Sequence, residues 1–305
     1  MATMQAQRAQ LTDGRWHFQH GPMDIIIGAD GDVLALTEAH TQAWERFKSI
    51  LQELVQELPA LRSPVQGACP VHGPIAKRMW FACQPYQSSF ITPMAAVAGS
   101  VAQELLRFYA APSIKRAWIN NGGDIAIHLA VNEAIRVGLY ADLAHLNASQ
   151  LQNGITVDGQ FEVHSSSPVR GVATSGWRGR SFSLGIADSV TVLAATAAQA
   201  DAAATVIANA VNVDDARIVR RPARELKDDS DLGAIEVTVD VPPLEADLVD
   251  QAIAAGLARA LVLRAQGLIC SAVLVCQNRC MTTENTFELL SRCRETIPLP
   301  HRDYA

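Results

Sequence analysis

The apolar positions along the chain fall into short runs and longer helical stripes. Met23 to Ile27 is a compact apolar run closed by the turn residues Gly28 to Gly31, and it predicts a strand. Trp44, Phe47, Ile50, Leu51, Leu54 and Leu58 recur at helical spacing and predict a helix over 37–58 that Pro59 stops. Residues 62–85, with four prolines and two glycines, read as a long irregular segment. Thr92-Pro93 places a cap residue before a first-turn proline and so starts a helix. Its first residues, Met94 to Gly99, are small enough to lie close against a neighbouring backbone or a flat ligand.

Further strands are predicted over 117–119, 125–129, 135–139, 189–194, 235–239 and 270–276. Thr156 to Val163, broken by Asp158-Gly159, has the form of a hairpin. Thr196 and Gln199 give a capping-box start to the helix that carries Asp201 and Thr205. Residues 217–231 read as a charged surface connection, 244–265 as an amphipathic helix ending at Gly267, and the tail from Pro298 as irregular. Cys270 and Cys276, an even number apart, are expected on one side of their strand. This rhythm predicts α+β architecture, with mixed sheets flanked by helices in two intimate halves, over a doubly wound parallel sheet. One domain over 1–305 is expected, with a core of about 20–275 and a C-terminal tail over 276–305.

Composition narrows the function. Of 305 residues, 49% are hydrophobic and 18% charged, ordinary globular values that exclude a disordered or fibrous chain. A net charge of −6 without a basic stripe argues against nucleic acid as a partner. The polar start and the absence of an apolar run of membrane length predict a soluble, cytoplasmic protein with no membrane partner. A homodimer is expected on general frequencies alone.

Three clusters carry candidate chemistry. Asp201 and Thr205 lie one turn apart on a helix face, a carboxylate and a hydroxyl suited to Mg²⁺. The bland reading is a helix-start Asp at the positive dipole end and a Thr bonded to its own helix. Asn120, Asn121, Gly122, Gly123 and Asp124 form a strand end at which backbone N–H groups can approach a phosphate or a flat ring, or else a plain tight turn. Thr174, Ser175 and Gly176 form a hydroxyl-rich turn that binds a ligand or satisfies its own backbone. His72, in the proline-rich segment, is the lone acid–base candidate. Cys69, His72 and Cys83, or Cys270, Cys276 and Cys280, lack the paired spacing of a zinc or cluster site.

Taken in order, Asn-Asn-Gly-Gly-Asp-Ile (120–125), Ala-Thr-Ser-Gly (173–176), Ser-Val-Thr-Val (189–192) and Asp-Ala-Ala-Ala-Thr (201–205) resemble the FAD:protein FMN transferases of the ApbE superfamily. Thr92 to Gly99 is similar to a branch of ApbE-like proteins lacking the lipoprotein signal. The resemblance covers about residues 20–275 and implies a tunnelling-fold-related architecture. It implies a cofactor site for FAD or FMN at Asn121 to Asp124 and Thr174 to Gly176, and Mg²⁺ or Mn²⁺ held by Asp201 and Thr205. The activity it implies is Mg²⁺-dependent transfer of FMN to a protein hydroxyl, with AMP leaving.

One segment departs from that pattern. The transferases carry a His and an Asp-Pro after Ser-Gly, whereas 177–187 holds neither; Arg180, Ser181 and Asp188 occupy the region. Arg180 and Asp188 join His72 as catalytic candidates, and Arg178 or Arg180 is placed to pair with a phosphate. A flavin-binding module without catalysis, or an enzyme for a pterin- or purine-like substrate, are the alternative functions. In each the partner is a small nucleotide or heteroaromatic molecule.

Overall fold

The computed structural model describes residues 5–139, 159–179 and 181–283. In chain order its strands are β1 Gln7–Gln10, β2 Trp16–His20, β3 Met23–Gly31, β4 Ile114–Asn121, β5 Asp124–Leu129, β6 Ala134–Leu139 and β7 Gly159–His164. They continue with β8 Gly171–Ser175, β9 Ser189–Ala194, β10 Val219–Pro222, β11 Glu236–Asp240, β12 Ser271–Cys276 and β13 Arg279–Thr282. The helices are α1 Val33–Gln56, α2 Leu58–Leu61, α3 Pro74–Cys83, α4 Val97–Leu106, α5 Ala197–Ala210, α6 Ala223–Leu226 and α7 Ala246–Ala265.

Among the described residues, nine strands form one sheet in the order β1-β2-β3-β4-β5-β8-β9-β12-β13, and each ladder is antiparallel. The fold is therefore α+β. The sheet takes in β1 and β2 before the expected core and β13 after it. Alternation along the strands divides the two faces. Ile25, Ile27, Ala117, Ile119, Ala126, Ala173, Val190, Val192, Ala272 and Leu274 face the helices. Trp118, Ile125, Ile127, Leu129 and Val172 face the other way, where Ile135, Val137, Phe161 and Val163 of the β6–β7 ribbon cover them.

Several elements differ from the sequence reading. Helix α1 starts at Val33 because Asp32 accepts the N–H groups of Leu34 and Ala35, a cap ahead of the periodic stripe. Pro59 sits in the first turn of a separate short helix, α2. The segment expected to be irregular contains α3, since Pro74 serves as a first-turn residue and Ile75, Ala76, Met79, Trp80 and Cys83 bury one face. The helix expected from Thr92 opens as a 3₁₀ turn over Pro93–Ala96 before α4 begins. The charged connection holds β10 and α6. Only the second arm of the expected 156–163 hairpin is described, as β7, and it pairs with β6. The tail from Pro298 lies outside the described residues.

Two side-chain groups fix the helical layer. Glu104, fully buried on α4, accepts from Arg46 of α1 at 2.9 Å, Arg78 of α3 at 3.1 Å and Arg107 at 3.1 Å. Under α1, Trp16, Phe18, Trp44 and Phe47 form an aromatic cluster, and His40 Nδ1 meets the buried Tyr109 hydroxyl at 2.7 Å. Burial, with Arg8 adding repulsion, pushes the His40 pKa down from 6.5 to about 4. Between those pH values the unfolded chain binds a proton that the folded one refuses, so stability falls as pH drops through that window. Thermal melts from pH 7 to pH 4 are expected to show a decline that His40→Gln flattens.

Candidate functional site

The start of α5 packs backbone to backbone against two glycines. A Cβ at Gly99 would sit 2.3 Å from the Ala197 carbonyl oxygen, and one at Gly171 would sit 2.2 Å from the Ala197 nitrogen. Any larger residue at either position would push α5 away from α4 and β8. Thr196 caps the helix by accepting the Gln199 N–H at 3.3 Å. The buried Ala198, Ala200 and Ala202 to Ala204 let the helix settle onto its neighbours.

Asp201 is carried inward by this contact. Its Oδ2 accepts the Gly99 N–H at 2.9 Å, with the Ala98 N–H beside it. On the sheet, Ile125 pairs with Val172, so one further step of register sets Asp124 opposite Ala173. Asp124 is buried, and its Oδ1 accepts the Thr174 N–H at 3.3 Å. Asp124 and Asp201 therefore converge from sheet and helix. Burial raises the pKa of both carboxyl groups, and repulsion from Asp124 raises that of Asp201 further. The N–H groups oppose this rise without overcoming it. Among the described residues no basic side chain pairs with either carboxylate.

The neighbouring residues divide by strand alternation. Asn121, Asp124 and Ser175 share the helix-facing side with Asp201, and Asn121 Nδ2 donates to the Ala98 carbonyl at 3.2 Å. Thr174 points to the opposite face, where its hydroxyl meets that of Thr191 at 2.9 Å. Asn120 Oδ1 accepts the Gly123 N–H at 2.9 Å and so closes the turn. Gly122 and Gly123 take φ of 69° and 112°, values that favour glycine, and no atom lies within 4 Å of a Cβ built on Gly123. Gly176 packs against the Asp188 carbonyl. Thr205 lies one turn beyond Asp201 and is partly exposed. Among the described residues its hydroxyl makes no hydrogen bond, not even to its own helix.

Other sequence candidates lie apart from the carboxylates or hold structural contacts. His72 is exposed at the start of α3, about 15 Å along the helix from Cys83 at the far end. Asp188 accepts the Gln277 N–H at 2.6 Å and pairs with Arg178 at 3.6 Å. Arg180 is outside the described residues. Among the described residues no group of three or more His, Cys, Asp and Glu is arranged to hold a metal, the two cysteine sets included. Cys270 and Cys276 do not share a side, because Cys270 precedes β12 and packs toward the ribbon while Cys276 joins the helix-side core.

Two contributors were missed in the sequence. The amides of Ala98 and Gly99 orient Asp201, and the run of small residues was their only signal. The buried Cys83 thiol, raised by burial and then by the charge of Asp201, stays protonated beside the pair. Its place on α3 was hidden when that segment was read as a loop.

An antiparallel sheet backed by helices, with two acidic groups converging from helix and strand, defines an α+β protein with a convergent acidic pair. A family model described as AbpE bacteria matches residues 8–285, and the chain belongs to that family. Among its relatives, a UPF0280 protein of Methanothermobacter thermautotrophicus is 37% identical over 214 residues, covering 68% of this chain and 78% of the relative. UPF0280 protein MK0206 of Methanopyrus kandleri is 33% identical over 219 residues, covering 71% and 82%. The apo crystal structure of Pseudomonas stutzeri flavinyl transferase ApbE aligns over 92% of this chain and 95% of its own, with a TM-score of 0.39 and 12% identity. Among the described residues, no helix is long and apolar enough to cross a membrane.

Replacing one carboxylate by its amide isostere should relieve the repulsion. Asp124→Asn is expected to raise the melting temperature at pH 8 in chelator by about 2 °C or more; a lowered one would mean that Asp124 is stabilising where it stands.

Proposed function

We propose that this protein binds a flavin-type nucleotide through a divalent cation held by Asp124, Asp201 and Thr205. The observation that carries the reading is the convergence of the buried Asp124 carboxylate with the partly buried Asp201 carboxylate, with no cationic side chain between them among the described residues. Such a pair repels itself in the empty protein and is relieved by a metal ion. Two carboxylates and a hydroxyl are hard oxygen donors, which fit Mg²⁺ or Mn²⁺ with the remaining positions left to water and phosphate oxygens. When bound, the cation would neutralise charge on a pyrophosphate and its leaving group.

The chain's own groups have distinct tasks in this reading. The Gly99, Ala98 and Thr174 amides hold the carboxylates in orientation, so that Asp124 and Asp201 bear the charge that binds the ion. Asn121 and the Gly122-Gly123 turn border the site and offer polar groups to the ligand. Ser175 presents a hydroxyl along the same strand face. Family membership and the ordered motifs support a flavin as the ligand. The absence of histidine from 177–187, and the tying of Asp188 to Gln277, favour a second reading in which the nucleotide is bound without FMN transfer.

Fluorescence titration of chelator-treated protein with FAD, with and without Mg²⁺, tests this directly. FAD affinity is expected to require Mg²⁺ and to fall in Asp201→Ala by more than the roughly 10–100-fold typical of an outer-shell change. Affinity indifferent to Mg²⁺ and to Asp201 would sink the metal assignment. Release of AMP from FAD in the presence of a Ser/Thr peptide separates transfer from simple binding. Binding of a pterin or purine but not FAD would replace the flavin.

A further inference from the structure

α7 is the outermost helix at its end of the sheet. It packs on β12 and β13 with α5 on its inner side, and β13 is the last strand of the sheet. Among the described residues no strand pairs with the outer edge of β13. Asp250 of α7 pairs with Arg279 of β13 at 3.1 Å, and Arg264 donates to the carbonyl of Thr283 just past the strand. These two contacts fix which flank of α7 overlooks the open edge. Helical spacing places Ala254, Leu257 and Leu261 between Asp250 and Arg264 on that same flank. Ala254 and Leu261 are exposed, Leu261 to 44%, and Leu257 is half-buried. The stripe is therefore apolar in the middle, acidic at one end and basic at the other. An open strand edge beside an uncovered apolar stripe is a place where another chain can pair.

We propose that this flank of α7 and the outer edge of β13 join two copies of the chain about a two-fold axis perpendicular to the sheet. Such an axis makes the β13 pair and the α7 pair both antiparallel. The stripe is its own complement under that operation: with Leu257 at the axis, Asp250 meets the partner's Arg264 and Arg264 meets the partner's Asp250. The strand agrees with the helix. Met281 lies midway between Arg279 and Thr283, as Leu257 lies midway between Asp250 and Arg264, so one axis serves both elements. Spacing decides whether the helices can touch. Strands stand about 4.8 Å apart and α7 lies over the last two, so the two helices come about 10 Å apart across the axis. Packed helices stand roughly 8–10 Å apart, and the small Ala254 leaves room for the partner's Leu261. β9 and β12 separate this face from β8, so the inference does not rest on the reading of the carboxylate site.

Sedimentation equilibrium of the full-length protein over about 1–100 μM tests this, with a dimer expected. Leu261→Glu, carried twice in each dimer, is expected to weaken association about 100-fold or more. Asp250→Lys is expected to weaken it about tenfold, and Asp250→Lys combined with Arg264→Glu to recover most of that loss. The two positions lie about 21 Å apart along one helix, so the recovery can come only through the partner. A wild-type protein that stays monomeric overturns the proposal; if Leu261→Glu then lowers its melting temperature, the face is covered within the chain. A dimer that survives both Leu261→Glu and Asp250→Lys also overturns it, since association would lie on another surface. Should Leu261→Glu fail to fold, the charge exchange decides alone, and a double variant no better associated than Asp250→Lys overturns the pairing.

Discussion

The site depends on how closely the start of α5 approaches its neighbours. The Ala197 peptide meets both α4 and β8 at glycines, where no Cβ could be accommodated. Helices ordinarily stand off from one another by the thickness of their side chains. With that thickness removed, Asp201 is carried to within hydrogen-bonding reach of the α4 amides and to electrostatic range of Asp124. Gly99 and Gly171 thus act at a distance in sequence on a carboxylate that neither of them resembles chemically.

Close packing sets up an electrostatic problem that the fold does not itself solve. Two acidic groups are drawn into a poorly hydrated corner, and among the described residues the compensation is confined to main-chain dipoles. The contrast with Glu104 is instructive. That carboxylate is also buried, yet Arg46, Arg78 and Arg107 surround it, and it serves to join α1, α3 and α4. A protein that can supply three arginines to one acid has no difficulty neutralising charge where structure is the purpose. At Asp124 and Asp201 no such arginine is present among the described residues, and in the proposed function the neutralising role falls to a bound cation.

Much of this was legible in the sequence, for identifiable reasons. The Gly122-Gly123 turn, the Thr196 cap and the Gly267 helix end are local devices, and local devices declare themselves in a few residues. Whole elements were lost where punctuation misled: Pro74 reads as a breaker until its place in a first turn is known. β1, with every residue exposed, has no apolar alternation to betray it. The meeting of Asp124 with Asp201 could not be obtained from spacing, because it depends on sheet register and on the α5 packing. Only the ordered set of motifs suggested it. Thr174 and Ser175 illustrate the remaining limit, since neighbours in a strand face opposite ways and the motif that contains both cannot say which one meets the ligand.

The amides that orient the two carboxylates belong to Ala98, Gly99 and Thr174, and in each case the donor is the main chain. Peptide groups are common to nearly every amino acid. The side chain at 98 is therefore free to drift over evolutionary time without disturbing the hold on Asp201, while position 174 is tied to Thr191 and position 99 is constrained by its size. Conservation across descendants of this fold should fall on bulk and register, and a search keyed to polar identity would pass over much of what builds the site.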